Sequence, residues 1–228
     1  MIPDTPNERR QLNMFVEEHA APPWTADHAA RLIDLIATSP WRAANEMNVE
    51  AGDPWEPYSR PRAIELFERA HSLSLRTGED LVLDGSVVSF QGDNIARLSM
   101  MRSVLDTRPV AELETHMAAM IAAMPKPSTA HASADDDQIM FVRKRMLEPL
   151  PNLIGAIGWL HVLFPQVYPT YFARAQLLAA PCHRIEEHGD GTIWIWAYEH
   201  PLRYDPPEVR DAIAELWRYF ASHAKQPV

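Results

Sequence analysis

Hydrophobic residues in this chain change their spacing several times, and each change marks an element. In "LNMFVEEH" (12–19) Leu12, Met14 and Val16 fall on one face at the two-residue period of a strand. Past "AAPPW", Thr25 stands where a helix N-cap belongs, and Ala29, Leu32, Ile33 and Ile36 follow at helical spacing. Pro40 disfavours helical geometry in the residue before it, so this helix should stop near Ser39. Residues 41–58 read as an irregular connection. A second helix opens at Ser59 or Arg60 with Pro61 in its first turn, turns Ile64, Phe67, Ala70 and Leu73 inward, and stops at Gly78. Asp84-Gly85 is a hairpin signal inside "LVLDGSVVSF" (81–90), and 94–101 supplies another strand. Between Pro109 and Met124 a third helix carries Val110, Leu113, Met117, Met120, Ile121 and Met124 as its apolar stripe.

The second half is read in the same way. "PKPSTAHASADDD" (125–137) has the composition of a mobile loop or linker. "NLIGAIGWLHVLF" (152–164) is apolar all round, as a buried helix or a helix–strand junction would be. "TIWIWAYEH" (192–200) alternates so that Ile193, Ile195 and Ala197 face one way and Trp194, Trp196 and Tyr198 the other, which makes both faces greasy. The simplest account puts one face in the core and partial cover over the other. The chain then closes on a helix with Asp205 as N-cap, Pro206 at its first position and Glu208 completing a capping box. Val209, Ile213, Leu216, Trp217 and Phe220 line its inner face. Hairpin-linked strands grouped together, with helices between the groups, predict an α+β fold around a mostly antiparallel sheet. We expect one domain over 1–228, with a flexible loop near 125–137.

Charge narrows the function classes. The chain has 21 basic and 31 acidic residues, a formal charge of −10, which repels phosphate backbones and makes direct nucleic-acid binding a poor primary role. A single cysteine, Cys182, excludes an internal disulfide and suits a reducing compartment. With no apolar run of membrane-spanning length and no signal-peptide pattern at "MIPDTPNERRQ", the expected location is the cytoplasm, with no membrane partner.

Candidate chemistry is sparse. Cys182, His183, His188, Asp190 and His200 crowd into nineteen residues, yet they match no zinc-ligand spacing, and we assign no metal and no cofactor. A small metal-dependent hydrolase using the histidine-rich segment 183–200 is the alternative reading. Adjacent Cys182 and His183 point apart, so they do not read as a nucleophile and its base. Carboxylate pairs occur at Glu17/Glu18 and Glu186/Glu187, and glycoside hydrolysis would need two facing carboxylates across a cleft. For contact with a partner protein the candidates are Asp135, Asp136, Asp137, Glu186, Glu187 and Asp190, as a negative surface. Trp24, Trp41 and Trp55 sit in proline-containing loops, where an aromatic anchor would be exposed.

Three stretches together carry a resemblance: "NMFVEEHAAPPWTADHAARLIDLIATSPW", "DGSVVSFQGDNIARLSMM" and "GDGTIWIWAYEHPLRYDPPEVRDAIAELW". Their strand, Trp-bearing loop and helix, their glycine-flanked strand pair, and their closing strand, turn and helix resemble bacterial polymorphic-toxin immunity proteins. The likeness is to those paired with restriction-endonuclease-fold toxins. The resemblance implies a non-enzymatic cytoplasmic antitoxin of the kind found with type VI secretion. Its partner would be a cognate toxin, basic because it binds nucleic acid, and the acidic inhibitor would occupy the place of phosphate.

Overall fold

In a computed structural model of the chain, the described residues are 11–39, 43–49, 53–77, 83–90, 92–101, 105, 109–134, 154, 157–201, 203 and 206–225. The chain divides into two compact units, Met1–Pro127 and Ser128–Val228. The division falls inside the stretch that reads as a linker.

The first unit carries strands in the order β3-β2-β4-β5-β6-β1. These are β1 (Gln11–Glu18), β2 (Glu46–Asn48), β3 (Glu56–Pro57), β4 (Ser72–Arg76), β5 (Leu83–Phe90) and β6 (Asp93–Met101), with neighbours antiparallel. Registers Leu12↔Met100, Met14↔Leu98 and Val16↔Ala96 put the predicted apolar set of β1 onto one buried face. Val87, Leu73, Leu75 and Met47 continue that face across the sheet. Helices α1 (Ala26–Ala37), α2 (Arg60–Ala70) and α3 (Val110–Ala123) contact the sheet from their apolar sides. Thr25 caps α1, its hydroxyl accepting the His28 N–H.

Three expectations for this unit are corrected. The span 41–58 holds two short strands, β2 and β3, because Met47 fits against Leu75. Helix α2 stops at Ala70, where His71 takes a left-handed φ of 54°, and Leu73 belongs to β4 rather than to the helix. Gly78 lies outside the described residues. Asp84-Gly85 is not a turn but runs straight through β5, and the β5–β6 connection falls at 91–92, where Gly92 has φ 92°. Gly85 is there for close approach, since a Cβ on it would strike Ile36 Cγ2 of α1.

The second unit orders its strands β7-β8-β10-β9. They are β7 (Thr129–Ala134), β8 (Leu160–Leu163), β9 (Arg184–Glu187) and β10 (Ile193–Trp196), again antiparallel. Residues 129–134 are thus a strand and not the expected loop. Their small side chains let β7 lie close to the chain entering β8, where a Cβ on Gly158 would come within 2.6 Å of the Ala132 carbonyl. Helix α4 (Arg174–Leu178) and helix α5 (Pro207–His223) complete the unit. Ile213, Leu216, Trp217 and Phe220 of α5 are buried, and the Phe220 ring meets Phe172 at 5.5 Å. The start of α5 is one residue later than predicted: Pro206 is the N-cap, without a side-chain capping bond, and Asp205 lies outside the described residues.

Both faces of β10 are covered. Ile193 and Ile195 are fully buried, and Trp194 and Trp196 are only 6% and 3% exposed. The fold is α+β, with antiparallel strands and helices packed on them. No helix among the described residues is long and apolar enough to cross a membrane.

Candidate functional site

The aromatic side chains of β10 form a closed ladder rather than an open patch. Arg184 of β9 lays its guanidinium carbon 3.5 Å from the Trp196 ring centroid. Trp196 meets Trp194 at 5.7 Å, and Trp194 meets His188 at 5.4 Å. Cation and rings stack along the strand, which gives the ladder a packing role. His188 is thereby held against an indole, and the described residues contain no group of three His, Cys, Asp or Glu side chains able to share a metal ion.

Of the predicted negative surface, the three described residues each have an internal partner. Glu187 receives both guanidinium arms of Arg174, which hold its carboxyl below the usual range. Asp190 accepts the Thr192 backbone N–H at 2.9 Å, and that bond lowers its pKa. Glu186 lies 3.5 Å from Arg184. Asp135, Asp136, Asp137 and Trp41 lie outside the described residues. Trp55 is half-buried, with the Arg76 guanidinium 3.9 Å above its ring and Arg76 itself paired to Glu46 at 2.6 Å. Trp24 is not an exposed anchor. It is 5% exposed, and its indole donates to the buried Glu18 carboxylate at 2.7 Å.

What the second unit does present is a groove of about 470 Å³ between the loop entering β9, the residues leaving β10 and the first turns of α5. Pro181, Cys182, Ala197, Tyr198, Val209 and Ala212 give it an apolar lining. Glu199, Glu208 and Glu215 stand at its margin, all exposed. Helical geometry explains the arrangement, because Glu208, Ala212 and Glu215 follow at i, i+4 and i+7 and so share one face of α5. Cys182 is half-buried here, and burial pushes its thiol up to about 11, the wrong direction for a nucleophile at neutral pH. Sequence reasoning passed over these three glutamates. The available signal was an acid–small–acid stripe beside the hydrophobic stripe of α5.

No protein-family model matches the chain, and no curated protein matches it. Among solved structures it is similar to a Pseudomonas aeruginosa T6SS (type VI secretion system) protein, PA0821, with a TM-score of 0.58 and 13% identity over 92% of this chain and 72% of that one. At that identity the likeness is one of fold.

Proposed function

We propose that this protein is a cytoplasmic immunity protein that binds a cognate toxin of type VI secretion and neutralises it without chemistry of its own. The observation that carries the reading is the fold likeness to a T6SS protein over 92% of the chain. The sequence resemblance to polymorphic-toxin immunity proteins supports the same reading independently. A formal charge of −10 suits an inhibitor whose target carries a basic, phosphate-binding surface, as a nuclease toxin does. Contact competition provides the test. A strain lacking this gene should be killed by its own parent when type VI secretion is active, and a plasmid copy should restore survival. A deletion strain that competes as well as its parent overturns the reading. If the toxin is a nuclease, dying cells show degraded chromosomal DNA, and intact DNA removes that part of the proposal.

A further inference from the structure

We propose that the groove between 181–183, 197–199 and α5 is a docking cleft for a basic segment of the partner protein. An arginine or lysine stem would lie on Tyr198, Val209 and Ala212, and its cation would meet Glu199, Glu208 and Glu215. The inference rests on the immunity reading and deepens it by naming the face that meets the toxin.

Two observations distinguish this cleft from a merely solvated surface. First, several carboxylates elsewhere are each matched to an arginine. Asp34 holds Arg60 at 2.7 Å, Glu46 holds Arg76 at 2.6 Å, Asp84 holds Arg97, and Glu187 holds Arg174. The side chains of Glu199, Glu208 and Glu215 have no ion-pair or hydrogen-bond partner among the described residues, and they come from the turn after β10 and from α5 to border one concavity. Second, apart from His183 the concavity they border is lined by apolar and small groups. That combination fits a side chain with an aliphatic stem and a cationic head, and arginine offers both together with a planar fork for two carboxylates. An acidic or purely apolar occupant would leave three carboxylates facing like charge or a dry surface, both unfavourable. The charge of −10 favours a basic partner over any other.

Cys182 is the single cysteine of the chain and lines this cleft, so its labelling by a thiol reagent at mildly alkaline pH, where more of the raised thiol ionises, reports occupancy there. The probe is a short fluorescent peptide of alternating arginine and leucine, titrated into the full chain, with a glutamate-for-arginine peptide as control. The arginine peptide should bind and slow the labelling of Cys182, while the glutamate peptide should do neither. Replacing the three carboxylates together (Glu199→Gln, Glu208→Gln, Glu215→Gln) should weaken binding about tenfold, as expected for partly exposed ion pairs acting together. Ala212→Arg, which fills the cleft with the chain's own guanidinium, should abolish both binding and protection. It keeps the test decisive if the triple variant folds poorly. Unchanged affinity in either folded variant, or binding that leaves Cys182 labelling as fast as before, overturns the proposal. Because the peptide assay needs no toxin, the two ideas can fail separately. A chain that binds peptide in the cleft yet gives no protection in competition keeps the cleft and loses the immunity reading, and the reverse result does the opposite.

Discussion

Glu17 and Glu18 are neighbours in sequence and lie on opposite faces of β1, so they cannot act as a facing carboxylate pair. Glu17 points to the side where His19 lies 3.3 Å away. Glu18 is buried on the helix side and accepts from Trp24 Nε1 at 2.7 Å, from Asn94 Nδ2 at 3.1 Å and from the Lys126 N–H. Asn94 in turn donates to the Pro22 carbonyl, and Ser89 accepts the Trp24 N–H. One carboxylate thereby fixes the loop before α1, the start of β6 and the chain leaving α3. Glu18→Ala should destabilise the protein by about 3 kcal/mol, because three donors lose a charged acceptor in a buried place. Glu18→Gln, which keeps the shape and one oxygen, should cost less. Urea unfolding of the two variants checks the order, and equal losses would show that volume rather than hydrogen bonding matters at this site. Glu18 continues the two-residue period of Leu12, Met14 and Val16, but its three partners lie up to 108 residues away.

At the scale of elements, β7 and β8 bring His131 and His161 into register as cross-strand partners, with ring centroids 6.4 Å apart. His161 Nε2 accepts the Gly158 N–H at 2.9 Å, which requires it to be unprotonated there. Burial lowers His131 to about 4 and His161 to about 3, and His116 on α3 is likewise lowered to about 4. Such histidines take up protons more readily when the chain is unfolded. The stability they contribute is complete above the unfolded value near 6.5 and is lost as pH falls from there towards the folded values. Between pH 7 and pH 5.5, above the carboxylate range, each should remove about 1 kcal/mol of unfolding free energy. A double His131→Gln, His161→Gln variant should flatten that slope. A wild-type protein equally stable at both pH values would show that these rings titrate normally. The histidines were visible in sequence only as scattered letters, since β7 was hidden in what reads as a linker composition.

For the whole molecule, net charge acts at a distance. If the partner is a basic toxin, a charge of −10 should speed its association at low salt, and the rate should fall as the Debye length shrinks to roughly 8 Å at physiological ionic strength. Stopped-flow association at two salt concentrations measures this directly, and a salt-independent on-rate would remove long-range steering from the account. The sequence by itself determined what is local. The two-residue period of β1 and β6, the helical stripes of α1 and α5, the Thr25 cap and the overall charge all depend on neighbours a few positions apart or on a simple sum. Tertiary structure decided the rest, because a letter states what a side chain carries and not what stands beside it. Asp84-Gly85 has the chemistry of a turn, yet Ile36 from α1 packs so closely over Gly85 that the pair continues as strand. Glu187 reads as a free negative charge until α4 brings Arg174 against it, and Trp55 as a free anchor until Arg76 covers it. Glu199, Glu208 and Glu215 read as ordinary surface, and the folding of α5 beside the end of β10 turns them into the margin of one groove.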